Sequence, residues 1–214
     1  LSTVRIGFEV GIRDVSIQSE QGRTVHRGDP AKPEHIESIT TSLSTMNVVG
    51  MIHLAPMKLA SASWSEDTLP SSQISLAAHG WFGLLKGMDA HFANLNQGLV
   101  ASVTSMDGRH GNIGERFNSI QCAASGVTKS YAFERPNLRT RALDVHPELI
   151  FDAASAAEHI ETELFERAGE VEIGLDRDGR RWLLAAFAED VVGDLDPLKS
   201  DDVWLVSGGG SGVT

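Results

Sequence analysis

The chain has little of several features that mark whole classes of protein. Its 214 residues include one cysteine, Cys122, so no disulfide can form within the chain, and this favours a reducing, cytoplasmic setting. Cys122 falls inside a helical pattern, where a free cysteine is expected to be a small buried hydrophobe. No stretch reaches the roughly 18 consecutive apolar residues of a membrane span, and the first residues lack a signal-peptide pattern. We therefore expect no membrane partner.

Basic residues are also scarce. Lysine and arginine number 18 against 29 aspartates and glutamates, which gives a net charge of -11 and an isoelectric point near 5.1. Nucleic-acid binding depends on clustered basic side chains that neutralise phosphates, so the composition argues against a nucleic-acid partner. A 41% hydrophobic and 22% charged composition is ordinary for a globular protein with one sizeable core or two small ones.

The most informative stretch is residues 99–145. The pattern predicts a strand over 99–104, a glycine-containing loop over 105–115, a helix over 117–134 and a strand over 138–144. Pro136 ends the helix before the second strand begins. This order is one βαβ unit.

Strand and helix patterns alternate on both sides of this unit, which predicts an α/β fold with a parallel sheet. The remaining predicted elements are a strand over 8–15, a polar loop over 18–32, a helix from Pro33, a strand over 48–54 buried on both faces, a helix over 74–92, a helix over 147–167, a hairpin over 171–187 turning at 176–179, an acidic linker over 189–201 and a strand from Val203.

A glycine-rich turn follows that last strand at the end of the chain. Residues 205–214 read Leu-Val-Ser-Gly-Gly-Gly-Ser-Gly-Val-Thr. Such a turn lets backbone N–H groups approach a pyrophosphate at the start of a helix. A plain glycine-rich tail or linker is the alternative, and the strand directly before the glycines favours the cofactor turn. The chain begins without methionine and stops at these glycines, so we expect both ends to be cuts through a longer protein.

The glycine-rich end resembles the cofactor motif Thr-Gly-x-x-x-Gly-x-Gly of short-chain dehydrogenases/reductases. It is more similar to the form Thr-Gly-Gly-x-x-Gly-Val-Thr in ketoreductases of polyketide and polyunsaturated-fatty-acid synthases. Ser207 stands at the first threonine, Gly208 and Gly212 at the first two glycines, and Thr214 at the third. The resemblance implies NADPH as the cofactor of the parent enzyme. The cofactor-binding residues it implies are Ser207, Gly208, Gly209, Gly210, Ser211, Gly212, Val213 and Thr214.

The central βαβ unit resembles the catalytic segment of the same family. That segment has a serine after a strand and Tyr-x-x-x-Lys on the next helix, where the i, i+4 spacing puts both side chains on one face. The lysine lowers the tyrosine pKa so that the tyrosine can act as a general acid. The matching stretches are residues 101–105, 126–134 and 141–147. Counting back from Gly126 places Phe117 at the tyrosine and Gln121 at the lysine, so the resemblance implies a retained fold without its catalytic pair.

Other chemistry-bearing residues have structural interpretations. Ser105 lies one position out of step with the family serine and is interpreted as a loop-start hydroxyl. Lys129 and Tyr131 are two residues apart on a helix and do not face each other. His53 follows a buried strand and is expected to be a hydrogen-bonded core or rim residue. The histidines have no metal-ligand spacing, and Trp64, Trp81 and Trp182 are interpreted as packing residues.

Together these stretches resemble the ketoreductase domain of modular synthases, in which an inactive structural subdomain precedes the catalytic one. The implied fold is a truncated Rossmann-like parallel sheet flanked by helices, with a C-terminal β-hairpin. Residues 1–190 would be the structural subdomain without its first strand, residues 191–201 a linker, and residues 202–214 the first strand and glycine turn of the catalytic subdomain.

The resemblance also implies a function and partners. The parent enzyme would reduce a β-ketoacyl group carried on an acyl carrier protein, and this segment would stabilise the catalytic subdomain of the same chain without supplying catalytic residues. Two alternatives remain. One is an independent pseudo-reductase module that binds partner domains, and the other is an active reductase that uses Ser105 and Lys129.

Overall fold

A computed structural model of the chain describes residues 3–21, 23–59, 71–114, 117–167, 169–188 and Val203. The chain divides into two compact units, Leu1–Leu184 and Ala185–Thr214. All helices and strands among the described residues belong to the first unit. None of the helices in the described part is long and apolar enough to cross a membrane.

The N-terminal residues form a small three-stranded sheet of β1 (Val4–Phe8), β2 (Ser16–Glu20) and β3 (Arg23–Gly28). The central strand, β3, pairs parallel with β1 and antiparallel with β2. The predicted strand over 8–15 and loop over 18–32 are therefore wrong. The residues of β2 are mostly exposed and polar, because an edge strand can keep its side chains in water, and such a strand has the composition of a loop.

The main sheet has the order β4-β5-β6-β7-β8, with parallel pairing except for the antiparallel last pair. Its strands are β4 (Gly50–His53), β5 (Leu99–Thr104), β6 (Arg139–Val145), β7 (Glu172–Leu175) and β8 (Arg181–Leu183). Almost all of β5 and β6 is buried, as expected for parallel strands covered on both faces. The predicted α/β fold with a parallel sheet and a C-terminal hairpin is confirmed.

Strand β4 lies at the edge of this sheet, and only one of its faces is covered. Met51 and His53 are buried, whereas Ile52 is 41% exposed and Leu54, just after the strand, is 51% exposed. The prediction that this strand is buried on both faces is therefore wrong for the Ile52 side. An apolar run alone does not distinguish an edge strand from a central one.

Helices flank the main sheet. They are α1 (Pro33–Ser44), α2 (Ser71–Ile74), α3 (Gly80–Ala93), α4 (Cys122–Glu134) and α5 (Ala153–Glu161). A π-helical turn, Ser75–His79, joins α2 to α3, so the predicted helix over 74–92 is present with a local irregularity. The predicted helix over 147–167 includes α5, which is capped at its start by the Asp152 carboxylate.

The core consists of two apolar clusters on opposite faces of the main sheet. On one face, Trp81, Met88 and Phe92 of α3 pack with Ile39 of α1 and Val100 of β5. On the other face, a cluster on β5, β6 and β7 packs against Ile160 of α5. Its buried members on the strands are Val103, Leu143, Val145, Ile173 and Leu175.

Two glycines of α3 allow α1 to pack closely. A Cβ atom at Gly87 would lie 2.6 Å from Thr40 Cγ2, and one at Gly83 would lie 2.9 Å from Ile36 Cγ2. By contrast, Gly126 of α4 has open space where a Cβ would stand. Substitution of Gly87 is therefore opposed by the packing of α1, whereas substitution of Gly126 is not.

We predict that Gly87→Ala and Gly126→Ala shift stability in opposite directions. Gly126→Ala removes only the entropic cost of a helical glycine and should stabilise by about 0.5 to 1 kcal/mol. Gly87→Ala gains the same term but forces α1 away, for a net loss of about 1 to 2 kcal/mol. Urea denaturation followed by circular dichroism measures both, and equal shifts would contradict the close α1–α3 packing.

Candidate functional site

The loop after β5 is folded around a buried carboxylate from the next strand. Asp144 of β6 is fully buried and accepts hydrogen bonds from the hydroxyl of Thr104 (2.8 Å) and the N–H groups of Met106 (2.9 Å) and His110 (3.0 Å). A fourth, longer bond comes from the N–H of Asp107 (3.3 Å). The carboxylate therefore fixes the path of the chain as it leaves the C-terminal edge of the sheet.

A second buried carboxylate, Asp107, holds the rest of the same loop. It accepts the N–H groups of Arg109 (2.8 Å), Gly111 (2.8 Å) and Ile113 (3.1 Å). Burial by itself raises the pKa of Asp107, but these N–H bonds outweigh it and hold the pKa below its ordinary value. Asp107 therefore remains an ionised acceptor engaged by the backbone, which is a structural role.

This loop also lies in direct contact with β7. Gly108 has a φ of +73°, and a Cβ added there would lie 2.2 Å from the carbonyl oxygen of Leu175. Gly174 faces the loop in the same way, since a Cβ added there would lie 2.2 Å from the carbonyl oxygen of Gly108. Only glycine fits at both positions, because each lacks room for a side chain.

The start of α4 differs from the sequence prediction. Cys122 begins the helix after one tight turn, Ser119–Gln121, and the Asn118 side chain caps that turn by accepting the N–H of Ile120 (3.1 Å). Phe117 precedes this cap, so it is outside the helix and does not share a helical face with Gln121. The prediction of a helix from residue 117 is wrong at this end, and Asn118-Ser119 is the cap pattern that would have placed it.

Gln121 is fully buried, and both ends of its amide are used. Its Oε1 accepts the N–H of Ser105 (2.8 Å), and its Nε2 donates to the carbonyl oxygen of Ser105 (3.0 Å). The Ser105 hydroxyl is buried and has no hydrogen-bond partner among the described residues. Gln121 therefore joins the start of α4 to the end of β5, as one more support of the loop.

Lys129 and Tyr131 point to different partners. The Lys129 ammonium lies 2.7 Å from Glu172 of β7, whereas the Tyr131 hydroxyl donates to Asp89 of α3 at 3.0 Å. Burial, the hydrogen bond to Asp89 and then the negative charge of Asp89 raise the pKa of Tyr131. The prediction that these two side chains do not face each other is confirmed.

Two residues interpreted as buried or packed are more exposed than expected. Cys122 is exposed because it is the first residue of α4 and does not lie in the middle of the helix. Its sulfur lies 3.3 Å from that of Met106. Trp182 of β8 is 40% exposed; its indole lies under the Arg109 guanidinium at 3.6 Å and donates to Asp176 at 2.8 Å. Trp81 is a core residue as predicted, and Trp64 lies outside the described residues.

His53 is the buried, hydrogen-bonded histidine that the sequence predicts. Its ring stacks on Trp81 with centroids 4.9 Å apart, and its Nε2 lies 3.3 Å from the Ala77 carbonyl oxygen. Burial lowers the pKa of His53 to about 4. Within the described part of the chain, no group of three His, Cys, Asp or Glu side chains could hold a metal ion.

The buried His53 predicts a pH-dependent loss of stability. Its folded-state pKa, about 4, lies below the ordinary histidine pKa of 6.5, so the unfolded chain takes up the proton first. The neutral His53 ring makes its full contribution to the free energy of unfolding above pH 6.5. This contribution, about 2 to 3 kcal/mol, is lost as the pH falls to about 4. Urea denaturation across this range should show a smaller loss for His53→Phe. Parallel curves for the two proteins would contradict the prediction.

The predicted cofactor-binding residues, Ser207 to Thr214, lie outside the described residues. The described site contains two carboxylates engaged by the backbone, a glutamine amide with both ends bonded, and the buried Ser105 hydroxyl. Sequence reasoning missed the two aspartates, although Asp144 inside the otherwise apolar end of β6 was a visible signal of a buried acceptor.

The fold can be compared with known proteins at this point. No protein-family model and no curated protein sequence matches the chain. Among solved structures, an alcohol dehydrogenase from the archaeon Thermococcus sibiricus, complexed with 5-hydroxy-NADP, matches with a TM-score of 0.55 and 19% identity over 77% of this chain and 80% of its own. The chain therefore has a Rossmann-like α/β fold, similar to that of this dehydrogenase.

Two further structures support the fold. A metagenomic short-chain oxidoreductase in complex with NADP has a TM-score of 0.50 and 13% identity, covering 69% of this chain and 71% of its own. A keto acid-selecting NRPS module with adenylation, ketoreductase and pseudo-Asub domains has a TM-score of 0.58 and 14% identity over 85% of this chain. The match covers 14% of that module. The predicted reductase-like fold is therefore confirmed.

Proposed function

We propose that the chain is the non-catalytic structural subdomain of an NADPH-dependent β-ketoacyl reductase in a polyketide or fatty-acid synthase. The observation that carries the proposal is the bonding of Gln121, the residue that aligns with the family lysine. Both ends of its amide are bonded to the Ser105 backbone, at 2.8 and 3.0 Å. Phe117 aligns with the family tyrosine, and its phenyl ring has no hydroxyl group that could donate a proton. The βαβ unit would thus serve as a rigid support.

The proposed partner is the catalytic subdomain of the same parent chain. The open edge of the main sheet has the character that such a partner would require, because Val49, Ile52 and Leu54 are 45%, 41% and 51% exposed. Exposed apolar groups of this kind are typical of surfaces that another protein surface covers. The acyl carrier protein with its β-ketoacyl group would then bind to the catalytic subdomain.

NADPH would bind to the parent enzyme and not to residues 1–190. The proposal assigns the pyrophosphate to the turn from Ser207 to Thr214, where backbone N–H groups and the start of a helix would receive it. Among the described residues of the β5–α4 loop, several N–H groups are not free for a pyrophosphate, because Asp107 and Asp144 already accept them: those of Met106, Arg109, His110 and Gly111. Bound NADPH would supply a hydride in the parent enzyme.

We predict that the 214-residue chain alone neither oxidises NADPH with a β-ketobutyryl thioester nor binds NADPH saturably. Absorbance of NADPH measures the first and its fluorescence the second. The matched protein is the parent chain extended past Thr214, which we expect to oxidise NADPH. Activity of the 214-residue chain alone would contradict the proposal. An extended chain with no reductase activity would favour the independent scaffold module.

A further inference from the structure

Strands β1 and β4 each have one edge without a partner strand among the described residues. β1 stands at the end of the order β1-β3-β2, and β4 stands at the end of the order β4-β5-β6-β7-β8. Each belongs to a parallel pair, β1 with β3 and β4 with β5. Helix α1 joins β3 to β4 in the strand-helix-strand order that connects parallel strands. The two open edges therefore run in the same direction.

These two open edges lie over the same apolar cluster. Phe8 of β1 and Met51 of β4 both pack into the cluster that α1 and α3 form. The ends of the two strands also meet at the start of α3, where a Cβ added at Gly80 would lie 2.9 Å from Cε2 of Phe8. The next residue, Trp81, stacks on His53 of β4. β1 and β4 are thus close neighbours under one helix, yet they do not pair with each other.

Backbone groups of both strands point to these open edges. The Val49 carbonyl oxygen accepts an N–H group of β5 at 3.2 Å, and alternate residues of a strand direct their backbone groups to opposite edges. The N–H of Ile52, three residues on, therefore points away from β5. In the same way, the Glu9 N–H donates to β3 at 3.0 Å, so the N–H groups of Phe8 and Ile6 point away from β3. Such groups at an open edge are a template for a further strand.

We propose that the space between Val4–Phe8 and Gly50–His53, the strand gap, receives one extended apolar strand from another segment of the parent polypeptide. This strand runs parallel to β1 and β4, pairs with both and joins the two sheets into one. Its side chains are apolar toward α1 and α3, because the shared cluster lies on that side. The side chain of Ile52 is on the other face, so it remains for the catalytic subdomain. The inference rests on the proposed function only in taking the strand from the parent polypeptide.

A probe strand, Val-Ile-Val-Ile-Val, fused before residue 1 of the 214-residue chain tests the strand gap. Five residues span about 17 Å, and a Gly-Ser linker of about 15 residues returns the chain over roughly 21 Å. We expect hydrogen exchange at the Ile6 and Ile52 amides to slow at least about ten-fold, and the Tm to rise by about 4 °C or more. Exchange in β2, which lies at another open edge, should not change.

The matched control is the same fusion with Val-Pro-Val-Pro-Val. Proline keeps the probe apolar but has no N–H group to donate to a neighbouring strand. We therefore expect this fusion to leave exchange at Ile6 and Ile52 as fast as in the unfused chain. Circular dichroism checks that all three proteins have the same fold.

Protection of Ile6 and Ile52 by the first probe alone supports the strand gap. Equal protection by the proline probe would overturn it, since apolar contact without strand pairing would then explain the result. Unchanged exchange at the two amides, or protection of β2 in their place, would also overturn it. The same two amides should be protected in the parent polypeptide without any fusion, and fast exchange there would contradict the proposed source. Because no readout is NADPH oxidation, an inactive parent enzyme would count against the proposed function alone.

Discussion

Asp144→Asn is expected to lower the free energy of unfolding by about 3 to 5 kcal/mol. The wild-type carboxylate accepts from Thr104, Met106, Asp107 and His110, with two donors on each oxygen. An asparagine replaces one oxygen by an NH₂ group, which cannot accept, so two buried donors lose their partner. Each such loss costs about 1 to 3 kcal/mol. Urea denaturation followed by circular dichroism measures the change.

Asp152→Asn is the matched control for that experiment. Asp152 caps α5 by accepting the N–H groups of Ala154 (3.1 Å) and Ser155 (3.3 Å) at an exposed helix start. Asparagine caps helices about as well as aspartate, so the same chemical change should cost less than about 0.5 kcal/mol here. Equal destabilisation by the two substitutions would show that Asp144 is not the acceptor that holds the loop.

Gly108→Ala should be the most damaging glycine substitution in the same loop, with a loss of about 3 kcal/mol or more. Two costs combine, because the residue has a φ of +73° and its new Cβ would lie 2.2 Å from the Leu175 carbonyl oxygen. Backbone oxygen cannot move aside as a flexible side chain can. Either the loop must leave β7, or the strand must shift.

Gly114→Ala separates these two costs. Gly114 has a similar φ of +77°, but nothing lies within 4 Å of its missing Cβ. Alanine there incurs only the left-handed backbone cost, about 1 to 2 kcal/mol. The difference between the two variants in urea denaturation therefore measures the contact with β7. A similar loss in both would mean that the loop does not need this close approach.

The elements that were predictable from sequence are those whose pattern comes from burial. Strand β5 was placed at 99–104 because parallel strands covered on both faces are continuous apolar runs. Helix α1 was placed by Pro33, which favours a first helical turn, and the β7–β8 hairpin by the Asp-Gly pair in its turn. Each of these signals is local, so no partner had to be known.

The site was less predictable because its bonds join distant residues. Gln121 contacts Ser105 across 16 positions, and Asp144 contacts Met106 across 38. The family resemblance assigned Gln121 only a position in a motif, and it could not show that this side chain bonds to the backbone of Ser105. Strand β2 was missed for a different reason, since its polar edge composition does not differ from that of a loop.

The order of the main sheet has a consequence for synthesis of the protein on the ribosome. Each strand from β5 to β8 pairs with the strand translated just before it. The sheet can therefore grow strand by strand as the chain emerges, because no pairing within it must wait for a distant segment. The edge at β4 is then the first part of the sheet to form, and translation adds every later strand on the side away from it.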